Sequence, residues 1–272
     1  MAPDLGNQIS SFLKANGMQL CRRATACIIH LALYIFIGFG YSLQAAVLVS
    51  ENFNYSIGSS LAGQNGGTGF SGPWKRDYAG NTDGTIVAPL TFGDYPVSGN
   101  AVNLSAVYPG NNYTDDVRPL SANFGSAPQT IWSSYLFSYM VTPGSSPWYV
   151  AGVQTSNDGY PNDYRFSSHA LSGKNTFGAQ NEGSGNEGTD SSATSSQSVT
   201  YLIVSEYVSG VATTSCVLTA NQYDTIKAMG LTVAALNANS VTTITNNYAF
   251  GQATTLQSYL EIFGDTLEQT PR

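Results

Sequence analysis

A chain of 272 residues with a net charge of −7 and only 10 lysines and arginines has no electrostatic footprint for nucleic acid, because phosphate backbones are bound through clustered basic side chains. Outside the first 45 residues the chain has one histidine, His169, and one cysteine, Cys216, which are too few for a zinc site. A composition rich in Thr, Ser, Tyr, Val, Gly and Asn, with 10% charged residues, favours short strands joined by turns.

The first 45 residues are predicted to be a secretory signal peptide. Arg22 and Arg23 precede an apolar run, residues 24–39, and small residues follow up to Ala45. The polar stretch before Met18 is long for such a signal, so Met18 is a candidate start codon. The alternative is an uncleaved membrane anchor. Cleavage would remove three basic residues and one acidic residue, change the net charge from −7 to −9, and leave a domain over residues 46–268.

Three glycines, Gly67, Gly69 and Gly72, have the spacing G-x-G-x-x-G of dinucleotide-binding loops. That chemistry needs a helix directly after the loop, because the pyrophosphate binds at the helix N-terminus. Here Pro73 and Trp74 lead into a polar stretch with turn residues and no helical periodicity. We therefore interpret residues 61–74 as a glycine-rich surface loop with positive φ angles rather than as a nucleotide site.

Alternation of polar and apolar residues predicts strands along the rest of the chain. They cover residues 46–53, 84–90, 100–108, 130–141, 147–155, 163–168, 174–180, 199–208, 211–219 and 256–264. Residues 130–141 carry apolar groups on both faces, which indicates an inner strand. Strands at this spacing predict an all-β fold of two packed antiparallel sheets.

Three connections have signals of their own. Ser209 and Gly210, between two β-branched runs, predict a hairpin turn, and the polar residues 181–198 predict a solvated loop. Residues 221–239 predict a short helical insert over one edge of the sandwich. In that insert Asn221 caps a first turn, Gly230 ends it, and Thr232 opens a second turn.

An acidic-x-Phe-x-Tyr element, formed by Glu51, Phe53 and Tyr55, precedes the loop N-G-G-T-G-F-S-G-P-W over residues 65–74. This combination resembles the start of the concanavalin A-like, laminin G-like domains of exported planctomycete and verrucomicrobial proteins, many of which end in a PEP-CTERM sorting tail. Residues 223–237 and 259–265 extend the resemblance weakly. It implies a jelly-roll sandwich in a bacterial protein that is secreted or held at the cell envelope.

The end of the chain departs from that pattern. The domains it resembles continue into a further strand and the sorting tail, whereas this sequence stops at Arg272. We therefore expect either a sandwich that lacks its last strand, with an exposed sheet edge, or a protein that is released rather than anchored.

One loop contains a candidate calcium site. Asp158, Tyr160 and Asn162 resemble the D-x-[YF]-x-N stretch of the calcium loop in legume lectins, although Ser156 and Ser167 stand where acidic ligands are expected. Asp163 would have to supply the later carboxylate, and two carboxylates imply an affinity of about 10⁻⁴ to 10⁻³ M. We favour the alternative, two consecutive turns.

Carbohydrate contact is predicted around the same loop. Flat aromatic groups stack on sugars, and Trp148, Tyr149, Tyr160 and Tyr164 lie there. With 17 tyrosines in the chain, their presence near one loop discriminates little.

These features favour a secreted, non-enzymatic module that contacts a glycan or a cell-surface polymer. No residue is predicted to be catalytic, and calcium is the one candidate cofactor. Contact with a membrane is expected only through an uncleaved signal segment. One alternative is a polysaccharide-active hydrolase whose acid and base lie on separate strands, for example Asp115 or Asp116 with Glu206. Another is a purely structural envelope protein.

Overall fold

Antiparallel β-structure dominates the computed structural model, which describes residues 47–77, 82–104, 114–124, 130–138, 145–154, 165–172, 176–182, 189–196, 198–208, 212–246 and 257–268. These residues form thirteen strands and two helices. The strands are β1 Lys75–Arg76, β2 Thr85–Val87, β3 Ala101–Asn103, β4 Thr114–Phe124, β5 Thr130–Ser138, β6 Ser145–Gln154, β7 Arg165–Ser172, β8 Thr176–Glu182, β9 Thr189–Thr194, β10 Thr200–Val208, β11 Ala212–Leu218, β12 Thr242–Asn246 and β13 Gln257–Glu268. The helices are α1 Ala220–Ala228 and α2 Val233–Asn239.

The strands form three sheets. A seven-stranded sheet, here the large sheet, has the order β1-β4-β13-β6-β7-β8-β9, and a four-stranded sheet, the small sheet, has the order β12-β11-β10-β5. β2 and β3 pair separately. Every ladder between these strands is antiparallel, which confirms the prediction of an all-β fold with a short helical insert.

The two larger sheets contact each other through an apolar cluster. Phe177 of the large sheet is fully buried against the small sheet, and its ring meets that of Tyr201 edge-on at 5.0 Å between centroids. The other buried members are Ile203, Val217 and Ile244 of the small sheet. Because β-strand side chains alternate between faces, the odd-numbered residues of β10 lie on the face toward the large sheet.

The even-numbered residues of β10 lie on the opposite face of the small sheet, and the helices cover part of it. Leu202 and Leu218 form a buried cluster with Phe92 and with Ile226 of α1 and Ala235 of α2. The helices therefore pack over a sheet face, and the prediction that they lie over an edge of the sandwich was wrong.

The capping of the two helices was predicted in part. Thr232 is the N-cap of α2 and its hydroxyl accepts a hydrogen bond from the N–H of Ala235 at 3.1 Å, as expected for an N-cap threonine. The N-cap of α1 is Thr219 rather than Asn221, because Gln222 accepts from the Thr219 N–H at 2.8 Å and completes a capping box.

Residues 48–104 build a separate small core around Leu61, Trp74 and Ile86, all nearly or fully buried. The strand predicted over residues 46–53 is absent from the described part of this segment, where only Ser50 forms a bridge, to Thr68. The cause is local: Phe53 has a φ of +50°, and its N–H is held by the Glu51 carboxylate at 2.9 Å. Together these features turn the chain out of an extended path.

The glycine-rich loop within this segment has the predicted conformation. Gly67 and Gly69 have φ angles of +65° and +86°, and strand β1 follows the loop in place of a helix. The loop is nevertheless not a free surface loop, since the Ser50 and Thr68 backbones exchange hydrogen bonds of 2.8 and 3.0 Å. These hydrogen bonds join the loop to the chain segment that precedes it.

Replacing Gly69 by alanine is expected to destabilise the protein by about 1–3 kcal/mol, because a Cβ there would stand 2.2 Å from the Leu48 carbonyl oxygen at a strained φ. Gly63 is a matched control. Its φ is +87° but nothing lies within 4 Å of an added Cβ, so Gly63→Ala should lower the free energy of unfolding by only about 1 kcal/mol. Urea denaturation of both variants measures the difference, and equal losses would contradict a backbone clash at Gly69.

Two of the predictions for individual strands also need correction. Strand β5 lies at the end of the described order of the small sheet and is thus an edge strand there, not an inner one. Strand β9 lies inside the stretch predicted to be a solvated loop, residues 181–198. β4 was not predicted at all, because its sequence TDDVRPLSANF carries three charges and a proline.

Candidate functional site

The structure does not gather the residues predicted to bind sugar or calcium into one described site. Trp148 and Tyr149 belong to β6, where they pair with Asp265 and Gly264 of β13. The remaining predicted residues, Tyr160, Tyr164, Asp158, Asn162 and Asp163, lie outside the described residues. In the described part of the chain, no three His, Cys, Asp or Glu side chains are grouped as a metal site requires.

The motif that carries the laminin G-like resemblance builds a buried ion pair. Glu51 and Arg118 are in contact, with side chains 4% and 1% exposed. The Glu51 carboxylate also accepts hydrogen bonds from the Tyr55 hydroxyl at 2.8 Å and the Trp74 indole N–H at 3.0 Å. Burying both charges is tolerated because each charged group is paired and hydrogen-bonded.

The guanidinium of Arg118 is satisfied on all sides by the glycine-rich loop. Its Nε donates to the Gly72 carbonyl at 2.9 Å and its Nη2 donates to Asn65 Oδ1 at 2.8 Å. Its Cζ lies 3.9 Å from the centre of the Phe70 ring. With the Glu51 and Arg118 side chains buried and engaged, this cluster holds the loop against β4.

Asp116 lies two residues before Arg118 on β4 and is fully buried. Its Oδ2 accepts a hydrogen bond from the Gly84 N–H at 2.7 Å, whereas no described residue bonds to its Oδ1. The pKa of the Asp116 carboxyl is raised to about 7, mainly by burial and to a smaller extent by the nearby Asp83 charge. The Gly84 N–H and Arg76 act in the opposite direction but are weaker.

Asp115 and Asp116 are not brought together with Glu206. Asp116 contacts Gly84 next to the β2–β3 pair, and Asp115, its neighbour in the same strand, points to the opposite face of the large sheet. Glu206 lies on β10 in the small sheet, at an even-numbered position that faces away from the cluster around Phe177. The described geometry contains no acid–base pair made of these residues.

The far half of that same small-sheet face is open. Trp132 of β5, Glu206 of β10, Thr214 of β11 and Thr245 of β12 are directly opposed in register and so form one row across all four strands. The Thr214 and Thr245 hydroxyls are 3.3 Å apart, which places both on this face. We name the surface the open face, and its residues are Trp132, Ser134, Glu206, Thr214, Thr243 and Thr245.

Exposure sets the open face apart from the half beneath the helices. The Trp132 side chain is 44% exposed, Ser134, Thr243 and Thr245 are exposed, and Glu206 and Thr214 are partly buried. Four residues along these strands from Glu206 and Thr214, Leu202 and Leu218 are 3% and 1% exposed under the helices. The open face is therefore an uncovered part of the sheet with one indole ring, one carboxylate and several hydroxyls.

Cys216 lies at the boundary between the covered and open halves. Its thiol is within 3.4 Å of Asn237 Oδ1 on α2 and 3.7 Å from the Thr243 hydroxyl. Burial raises the pKa of the Cys216 thiol, and the Glu206 charge adds to the increase. A thiol that stays protonated is a poor nucleophile, so Cys216 contributes packing rather than reactivity.

The open face was missed by the sequence-based interpretation, although one signal for it was present. Ile131 and Trp132 are neighbours that lie on opposite faces of the same strand. Because both faces carry apolar residues, the pattern was interpreted as a strand buried on both faces. Thr214, in the run before Cys216, and Thr243, directly before Ile244, contribute hydroxyls to the open face. A polar run beside an isolated tryptophan is the pattern that distinguishes an open sheet face from a covered one.

No helix in the described part of the chain is both long and apolar enough to cross a membrane.

No protein-family model and no curated protein matches the sequence. Among solved structures, a protein of unknown function from Shewanella oneidensis MR-1 is 10% identical with a TM-score of 0.33, over 70% of this chain and 81% of its own. Scytalido-glutamic peptidase is 10% identical with a TM-score of 0.20, over 53% and 68%. Likenesses this low carry no conclusion about fold or activity.

Proposed function

We propose that the protein is an exported, non-enzymatic β-sandwich module of the jelly-roll, laminin G-like type that binds carbohydrate through the open face. The observation that carries this proposal is the exposed Trp132 ring, set in one cross-strand row with Glu206, Thr214 and Thr245. The packed antiparallel sheets and the acidic-x-Phe-x-Tyr element support the fold type. The signal-like segment at residues 22–45 supports export.

The chemistry of the open face fits a pyranose ring. An indole presents a broad apolar surface against which the C–H face of a sugar stacks, while hydroxyl and carboxylate groups beside it bond the sugar hydroxyls. A tryptophan 44% exposed on a sheet leaves much apolar area in water, and a ligand that covers the ring would stabilise it by removing that area. An uncovered sheet face that spans four strands suits a polymer more than a small enclosed ligand.

The number of carboxylates on the open face supports binding without hydrolysis. Both retaining and inverting glycosidases position two carboxyl groups around the scissile bond, about 5–5.5 Å or 6.5–9.5 Å apart. Glu206 is the one acidic residue among the six residues of the open face. A bound chain there has a partner for its hydroxyls but no second group to act as acid or base.

Replacing Trp132 by alanine is expected to weaken retention on polysaccharide at least about fivefold, because loss of a stacking platform removes about 1–3 kcal/mol. Affinity electrophoresis over a panel of neutral and charged polysaccharides measures the retention, and release of reducing ends from the same panel measures hydrolysis. Met229→Ala is the matched control, since Met229 is 56% exposed on the turn after α1, away from the open face.

Retention that Trp132→Ala leaves unchanged would contradict the open face as the binding surface. Reducing-end release by the parent protein would contradict a non-enzymatic module. Absence of retention on every polymer, together with self-association, would instead favour a structural envelope protein that pairs through an exposed edge such as β5.

A further inference from the structure

The open face combines an exposed ring with a carboxylate for which the described residues supply no counter-charge. In the part of the chain that the structure describes, no hydrogen bond or ion pair engages Glu206. Its row neighbours Trp132, Thr214 and Thr245 are uncharged. Lys227, on the helix that covers the other half of this face, already pairs with Asp94 at 2.5 Å. The carboxylate is thus left for a ligand.

We propose that the open face selects glycans that carry protonated amino groups, such as polymers of glucosamine. This inference rests on the proposed function, since it names the class of sugar that the same surface takes.

The sheet register places Trp132 and Glu206 close enough for one amine to contact both side chains. Side chains directly opposed in an antiparallel ladder have Cβ atoms about 4.5–5.5 Å apart, so the Glu206 carboxylate stands beside the Trp132 ring. A cation attracted to an indole face lies within about 6 Å of the ring. One ammonium group can therefore contact the ring and the carboxylate together, and it gains from both.

A neutral sugar is expected to bind more weakly than an amino sugar beside Glu206. Glu206 is partly buried already, and a neutral ring stacked on Trp132 would remove more water from its carboxylate without supplying a charge in return. Desolvating an ionised group without a charged partner is unfavourable. The structure therefore favours an ammonium group over an acetamide or a hydroxyl beside Glu206.

The charge of the whole chain acts in the same direction. With a net charge of −7 and a pI near 4.6, the protein attracts polycations and repels anionic polymers at neutral pH. A calcium ion is a weaker candidate for Glu206, because such ions need six to eight oxygen ligands, whereas the described residues of this face place only Ser and Thr hydroxyls around the carboxylate.

The test compares a hexamer of glucosamine with the N-acetylated hexamer, whose nitrogen carries no charge, by calorimetric titration at low and high salt. The parent protein is expected to bind the glucosamine hexamer about tenfold more tightly, with a preference that shrinks in salt. Glu206→Gln should abolish that preference and leave the affinity for the acetylated hexamer within about twofold. Asp224→Asn makes the same change in net charge on the exposed side of α1 and should preserve the preference.

The outcomes separate the two proposals. Equal binding of both hexamers by the parent, with both affinities lost in Trp132→Ala, would overturn the amine preference but keep the carbohydrate site. Absence of binding to either hexamer, or binding insensitive to Trp132→Ala, would overturn both. Equally tight binding of hexalysine would show that charge alone suffices, and would overturn selection of a sugar.

Discussion

Replacing Arg118 by methionine is expected to lower the free energy of unfolding by about 3–5 kcal/mol, because it leaves the Glu51 carboxylate buried without its counter-charge. The substitution also removes the donors to the Gly72 carbonyl and to Asn65 Oδ1, so two further acceptors lose their partners at the same time. Methionine keeps most of the volume, which makes a cavity a minor part of the loss. Urea denaturation of the purified variant measures it.

An exposed ion pair in the same chain provides the control. Arg76 donates to Asp83 at 2.8 Å, but their side chains are 40% and 21% exposed, so Arg76→Met should lower the free energy of unfolding by less than about 1 kcal/mol. The double variant Arg118→Met with Glu51→Gln should recover part of the stability, since no buried charge remains. A loss at Arg118 no larger than that at Arg76 would show that burial does not determine the value of the pair.

The Arg118 cluster also explains which part of the molecule could be predicted from sequence. Glu51, Tyr55 and Trp74 were recognised as elements of one pattern, and they prove to be the groups that surround a single guanidinium. Local patterns of this kind are readable because the loop residues bond to one another. Their common partner Arg118 was not predicted, since it lies 44 residues beyond Trp74, in a strand with no alternation of polar and apolar residues.

Strand β4 shows the limit of periodicity. Asp115, Asp116 and Arg118 are buried in it, although charged residues ordinarily mark solvent-facing positions. The burial of Asp116 and Arg118 is stabilised by contacts with Gly84, Glu51 and the glycine-rich loop, all distant in sequence. The open face was missed because the exposure of Trp132 also depends on distant residues. Whether its ring is covered depends on where α1 and α2 end, and the sequence of its own strand does not determine that.

Stability is expected to fall as the pH rises from about 4 to 7, and Asp116 is the cause. Its pKa is about 7 in the folded protein against 3.8 for an ordinary carboxyl, so the folded state binds more protons than the unfolded state in this window. The stabilisation is complete below the unfolded pKa and is lost as the pH rises through the folded one. A shift of this size corresponds to about 4 kcal/mol at pH 8.

Asp116→Asn removes the titrating group and should remove this fall, which urea denaturation at unit steps from pH 4 to 8 measures. The slope is the decisive quantity, because an amide that lacks a partner at the position of Oδ1 lowers stability by about 1–3 kcal/mol at every pH. Asp94→Asn is the control: Lys227 holds the pKa of the exposed Asp94 carboxyl below its usual range, so its protonation affects stability only at more acid pH. An unchanged slope in Asp116→Asn would assign the fall to other groups and show that the carboxyl stays ionised despite its burial.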